Sequence, residues 1–276
     1  MRTLLANRIK CVVALLVSSG AATVLHFAWG RDQDRWDYMT GWTLLALMLV
    51  LAAFSARKRL SFLSFFSAAA WLQFHLYAGC FAALLFVIHI QFRWPIGWFE
   101  VGLTGFYAVV TVSGIVGIFL SRVFAKRMGA RGGDVLFEQV PAIRRRLREE
   151  AESLAVGSVE KAESGTLADF YARELHDFFS RHRNSWAHLI ELRSPLNNLQ
   201  EKISELERFL DTDELEILKR IDQLVKQKDG LDYQYTLQWA LRLWLFVHIP
   251  FTWGLLIWSF AHVVLVYGFS GGVGVD

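Results

Sequence analysis

Residues 71–91, WLQFHLYAGCFAALLFVIHIQ, and residues 244–263, WLFVHIPFTWGLLIWSFAHV, decide the fold of this 276-residue chain. Each lies in an apolar run long enough to enter a bilayer. Each also carries two histidines with thirteen residues between them: His75 and His89 in the first, His248 and His262 in the second. In an α-helix fourteen residues advance about 21 Å and return to within about 40° of the starting direction, so both imidazoles of a pair face the same way. Two such helices side by side present four histidines as two facing pairs, one near each surface of the membrane.

Around these runs the chain reads as an all-α, polytopic membrane protein. Hydrophobic residues make up 54% of it and are gathered into long stretches. Five spans are expected: Cys11 to Trp29, Gly41 to Phe54, Ala68 to Phe92, Val101 to Leu120 and Leu237 to Phe269. The first follows a basic start, as a signal peptide does, but its length favours a membrane helix. The second is short, and Trp42 and the Arg57-Lys58-Arg59 cluster can lengthen it by anchoring at the interfaces. Basic residues then set the orientation. Arg2, Arg8 and Lys10, next Arg57, Lys58 and Arg59, and then Arg122, Lys126, Arg127 and Arg131 all fall on one side, which the positive-inside rule makes cytoplasmic. The N-terminus is expected inside and the C-terminus outside, in a bacterial inner membrane. A formal net charge of +3 needs no nucleic acid to explain it. Cys11 and Cys80 are the only cysteines, so no Cys-x-x-Cys-His haem attachment and no iron–sulfur ligand set is present.

Three parts are expected: residues 1–129 with spans one to four, a helical cytoplasmic insertion over 130–236, and 237–276 with the fifth span and an outer tail. Pro141, Gly157, Gly165 and Pro195 divide the insertion into helical pieces. Leu199, Ile203, Leu206 and Leu210, then Leu215, Leu218, Ile221 and Leu224, recur at three- and four-residue steps. Two amphipathic helices paired across Asp211-Thr212-Asp213 are predicted, with Asp211 or Thr212 as the cap. Gly129-Ala130-Arg131-Gly132-Gly133 reads as a helix end, since it lacks the Lys-Ser/Thr of a phosphate loop. Arg144, Arg145, Arg146 and Arg148 suit anionic lipid, an acidic partner, a solvated helix face or internal ion pairs equally. His176, His182 and His188 recur every six residues and so turn about 120° from one to the next, a poor spacing for a single metal.

The four membrane histidines are the candidate site. Spans three and five run in the same direction, so His75 and His248 share the inner level and His89 and His262 the outer one. Each facing pair is the axial ligand set of a six-coordinate haem, and the other ring nitrogen of each histidine is expected to donate to a carbonyl or hydroxyl. Gly79 and Gly254 can let a flat ring approach the backbone, and Pro250 can bend the fifth span. Gly102, Gly105, Gly114 and Gly117 read as a small-residue surface for a neighbouring helix. Arg93 outside and Arg57, Arg59 or Arg242 inside are candidate propionate partners. His26 lacks a partner at the same interval and is expected to be no axial ligand.

The paired pattern His75/His89 and His248/His262 resembles the transmembrane di-haem b-type cytochromes. It is similar to cytochrome b of quinol-oxidising respiratory complexes, and to the ferric-reductase-like membrane domain, whose ligands also lie on the third and fifth spans. The resemblance covers the two ligand helices and implies two b-type haems, held by the inner pair His75/His248 and the outer pair His89/His262. The Pro-Glu-Trp-Tyr quinol-site sequence of cytochrome b does not occur. Nor does a flavin- or nicotinamide-binding domain follow the fifth span, so flavin chemistry is expected from another subunit. The expected function is that of an electron-transfer subunit in an oxidoreductase complex, in contact with membrane lipid and with a redox partner subunit, a cytochrome or a quinone. The alternative is a non-redox membrane scaffold whose coiled insertion recruits a partner.

Overall fold

The structure, a computed structural model, describes residues 15, 17–21, 24, 33–56, 68–130, 135–162 and 165–270. Among these the chain is helical apart from short turns and loops, and no strand occurs. Four helices are long and apolar enough to cross a membrane: α1 (Gln33–Ala56), α2 (Ala68–His89), α3 (Trp98–Ala130) and α9 (Thr212–Ser270). The predicted first span lies largely outside the described residues, so four spans of the expected five are seen. Length and composition make this an integral membrane protein. Its spans carry apolar side chains outward, among them Phe119, Phe246, Ile257 and Phe260; such a surface suits hydrocarbon and not water.

The span predicted at Gly41 to Phe54 is longer than its apolar run. Helix α1 takes in Trp36, Asp37 and Thr40 ahead of it, and its 24 residues rise about 36 Å, enough for the hydrocarbon core. Its partner α2 ends at His89 in a Schellman turn, with the Gln91 N–H on the Ile88 carbonyl and the Phe92 N–H on the Val87 carbonyl. Gln91 takes the left-handed position there, at φ 52°, where glycine is usual. Its side chain gives the reason, since Nε2 donates to the Asp37 carboxylate of α1 at 2.9–3.0 Å.

The chain divides into two compact units. The first comprises residues 1–119 and 244–276. Its core joins Leu44, Met48 and Ala52 of α1, Ala82 and Leu85 of α2, Tyr107 of α3, and Leu255 and Leu256 of α9. Phe86 and Tyr107 stack at its centre with ring centroids 3.9 Å apart.

The second unit comprises residues 120–243 and takes in Leu120 of α3 and residues 237–243 of α9, which the apolar runs had assigned to the spans. Between them lie α4 (Val140–Ala162), α5 (Thr166–Phe170), a π-helical turn, α6 (His176–Ser180), α7 (Ser185–Leu189) and α8 (Ser194–Leu206). Pro141 sits in the first turn of α4, Gly165 precedes α5 and Pro195 opens α8, as their chemistry demands. Gly157 does not divide the chain, because α4 runs through it with buried Ala155 and Ser158 beside it. The predicted hairpin forms. Ile203, with Leu199, Leu206 and Leu210, packs in one core with Leu218, Ile221 and Leu224. At the turn the Leu215 N–H reaches the Asp211 carbonyl and Glu214 Oε2 accepts from the Asp211 N–H, so Asp211 stands at the N-cap with the reach-back bond of a capping box. From there α9 continues without a break to Ser270, through Gly230 and Pro250.

Charge is buried in this unit. Lys228 is wholly enclosed; its Nζ pairs with Asp232, donates to the Arg181 carbonyl at 2.8 Å and lies 4.2 Å from the Phe178 ring centroid. Arg144 completes the cluster, 3.5 Å from Asp232 and over the Tyr235 ring. Of the basic run on α4, Arg144 therefore serves an internal ion pair, Arg148 pairs with Glu152, and Arg145 and Arg146 stay exposed.

Candidate functional site

The four histidines of the first unit come together as two pairs. His75 and His248 lie within electrostatic range of each other, and so do His89 and His262. Helices α2 and α9 therefore run in the same direction here, and their fourteen-residue intervals keep both pairs in step.

Each ring is backed by a helix antiparallel to its own. At one level, Thr40 Oγ1 of α1 lies 3.0 Å from His89 Nδ1 and points its hydroxyl proton at the Trp36 and Asp37 carbonyls, 3.0 and 3.1 Å away. Its oxygen is then the acceptor for the ring N–H. The next residue, Gly41, lets the imidazole lie against the backbone, for a Cβ there would stand 3.0 Å from His89 Cε1. At the other level the same dipeptide chemistry recurs on α3. Ser113 Oγ donates to the Val110 carbonyl at 2.9 Å and lies 2.7 Å from His248 Nδ1, and a Cβ at Gly114 would stand 3.8 Å from His248 Cε1. With each hydroxyl proton on a helix carbonyl, the oxygen is left to accept from Nδ1, an arrangement that keeps the lone pair on Nε2.

The remaining two rings rest on phenylalanines. His75 meets Phe54 of α1 at a centroid distance of 4.8 Å, and His262 stacks on Phe99 of α3 at 6.3 Å and 15°. His75 Nδ1 is buried and makes no hydrogen bond, although the Leu51 carbonyl lies near enough to act on the ring. The backing residues have the histidines' own period: Thr40 and Phe54 on α1, and Phe99 and Ser113 on α3, are each fourteen residues apart. Two antiparallel helix pairs, α1 with α2 and α3 with α9, thus repeat one design, with hydroxyl and phenyl exchanged between levels.

Glycines of α3 make room for indoles of α9. A Cβ at Gly117 would fall 1.9 Å from Trp244, and one at Gly102 would fall 2.8 Å from Trp258. Trp244 in turn donates to the Ser113 carbonyl at 2.7 Å and stacks on His248 at 5.4 Å. Gly254, expected to face a flat ring, is instead covered by Phe106, whose Cε1 would be 2.7 Å from a Cβ there. Gly79, one turn beyond His75, does face open space, with no atom within 4 Å of such a Cβ.

Of the candidate propionate partners, Arg93 is exposed in the α2–α3 loop and Arg242 is engaged elsewhere, 2.5 Å from Glu138 and over the Phe137 ring. Arg57 and Arg59, and also His26, lie outside the described residues. In the second unit His182 bonds Ser185 and the Asp232–Thr236 turn, His188 lies 3.7 Å from Asp229, and His176 is exposed. Among the described residues no group of three or more histidine, cysteine or acidic side chains gathers to hold a bare metal ion.

Thr40, Gly41, Phe54, Phe99, Ser113 and Trp244 were not anticipated as parts of the site. A signal was present: a hydroxyl residue followed by glycine, each fourteen residues from a phenylalanine on the same helix. No protein-family model, no curated protein and no solved structure matches this chain.

Proposed function

We propose that the chain is a membrane-embedded cytochrome of the b type, which holds two haems non-covalently and relays electrons across the bilayer between a redox partner subunit or quinone and a partner on the other side. The observation that carries this proposal is the arrangement of four imidazoles in two level pairs on parallel helices, each ring backed by an antiparallel neighbour. The donor set fits the group. Nε2 of His89 and of His248 keeps a lone pair for a metal, the other nitrogen is anchored by a hydroxyl, and Gly79 leaves space beside His75.

His75 with His248 would hold one haem, and His89 with His262 the other. A bis-imidazole haem supplies one-electron transfer with no open position for oxygen chemistry. The protein's own residues orient and insulate. Thr40 and Ser113 fix the tautomer and raise the basicity of their rings, Phe54 and Phe99 hold theirs by ring contact, and the apolar bundle excludes water. The basic residues at Arg122, Lys126 and Arg127 favour a cytoplasmic side at the His75/His248 end.

Purified protein reduced with dithionite should give a low-spin b-type spectrum, with two haems per chain by pyridine haemochrome. His89→Ala or His262→Ala should remove one haem and His75→Ala or His248→Ala the other. A colourless protein would overturn the proposal and leave a non-redox scaffold. Haem loss that ignored these pairings would overturn the ligand assignment.

A further inference from the structure

Helix α7 and the turn after it place three large apolar side chains in the open within seven residues: Trp186 is 79% exposed, Ile190 69% and Leu192 53%. Trp186 and Ile190 are four residues apart and share one face, the Ile190 N–H closing the turn onto the Trp186 carbonyl. The turn is a Schellman motif, with the Glu191 N–H on the His188 carbonyl and the Leu192 N–H on the Ala187 carbonyl. Its left-handed position, φ 59°, is held by Glu191 and not by glycine. The carboxylate explains the choice. It accepts from the Tyr233 hydroxyl of α9 at 3.1 Å and pairs with Arg127 of α3 at 3.3 Å, while Arg127 also donates to the Leu189 carbonyl at 2.8 Å.

Both tethers are close to where the chain enters its apolar spans. Arg127 follows Leu120 by seven residues, about 10 Å of helix rise, and Tyr233 precedes Leu237 by four, about 6 Å. Leu189 itself packs in the cluster that contains Leu120, Val123 and Phe124 of α3 and Leu237, Ala240 and Leu241 of α9. The segment is therefore fastened to both helices beside the ends of their apolar runs, and tryptophan is enriched where such runs meet headgroups. Arg122, Lys126 and Arg193 of the same unit are exposed and supply positive charge.

We propose that Trp186, Ile190 and Leu192 form a lipid-surface anchor, inserted into the interface of an anionic bilayer and pinned by the Glu191–Arg127–Tyr233 tie. The occupant is the membrane in which the chain resides. A second copy or a partner protein predicts a different shielding pattern and is distinguished by the test.

The full chain, with Cys11→Ser and Cys80→Ser, is reconstituted in vesicles of three parts phosphatidylcholine to one part phosphatidylglycerol. A nitroxide is attached in turn through Trp186→Cys, Ile190→Cys or, as a control, Phe209→Cys; Phe209 is 76% exposed on the segment after α8. Collisions with oxygen and with a water-soluble nickel chelate are measured. Labels at 186 and 190 should collide with nickel several-fold less than the label at 209, and with oxygen more. Nickel access equal to that at 209 would mean that the face meets water, and protection from both reagents would mean a protein contact; either result overturns the anchor. Helical content of each variant by circular dichroism, unchanged from the parent, shows that the labelled chains are folded.

Discussion

Replacing Ser113 by alanine removes the oxygen that lies 2.7 Å from His248 Nδ1. Because the serine proton is committed to the Val110 carbonyl, that oxygen is an acceptor, and its loss leaves the imidazole N–H without a partner among apolar neighbours. An unmade hydrogen bond of a buried donor costs about 1–3 kcal/mol. Loss of an outer partner of a metal-bound imidazole lowers affinity about 10–100-fold, or about 1.4–2.8 kcal/mol, which agrees with the first figure. On the proposed reading, Ser113→Ala should therefore weaken binding of the haem assigned to His75 and His248 by about 10–100-fold. The potential of that haem should rise, since a less basic imidazole stabilises the oxidised iron less. The indole of Trp244 bonds the Ser113 main-chain carbonyl, so that support survives the change. Haem titration into apoprotein and a redox titration of the loaded protein read the two effects. Ser113→Thr, which keeps the hydroxyl, should restore both. Unchanged affinity and potential at both sites would refute the hydrogen-bond reasoning, as would a loss confined to the haem that His89→Ala removes.

Two further expectations follow from packing and charge. Gly117→Ala should destabilise the membrane bundle by about 1–3 kcal/mol through overpacking, because its Cβ would fall 1.9 Å from Trp244 and force that indole off Ser113 and His248; Gly105→Ala, where a Cβ meets nothing within 4 Å, should be near neutral, and thermal melts of the two variants in detergent compare them. In the second unit burial holds the His182 imidazole below its ordinary value of 6.5, with Arg144 and Lys228 adding to the effect and Asp232 opposing it. The unfolded chain then binds the proton first as pH falls, so this contribution to stability is present above about 6.5 and is lost through the window below it. Melting of the full chain between neutral and acid pH should show that slope, and His182→Gln should flatten it; an unaltered slope would remove His182 as its source.

What the sequence determines by itself is everything local to one helix. Apolar runs of sufficient length, the fourteen-residue intervals of His75/His89 and His248/His262, the proline and glycine positions that open helices, and the leucine pattern from Leu199 to Leu224 follow from rise and turn alone, with no knowledge of neighbours. The level pairing of the four histidines follows too, once both helices are given the same direction. Tertiary structure decides which antiparallel helix covers each ring. Thr40 lies ahead of the apolar run and Ser113 inside one; each precedes a glycine and stands fourteen residues from a phenylalanine, but which histidine its hydroxyl meets is decided by packing. Gly79 and Gly254 look alike in sequence, yet one faces open space and the other is covered by Phe106, because a missing Cβ can be filled by whichever side chain the adjacent helix presents. Nothing in the sequence marks Lys228 and Asp232 for burial, and Arg144 suits solvent or lipid as well as an internal ion pair, since such residues are rarely enclosed unless paired. Only the fold brings the Arg181 carbonyl, the Phe178 ring and two opposite charges to one place, where each can replace the water that burial removes.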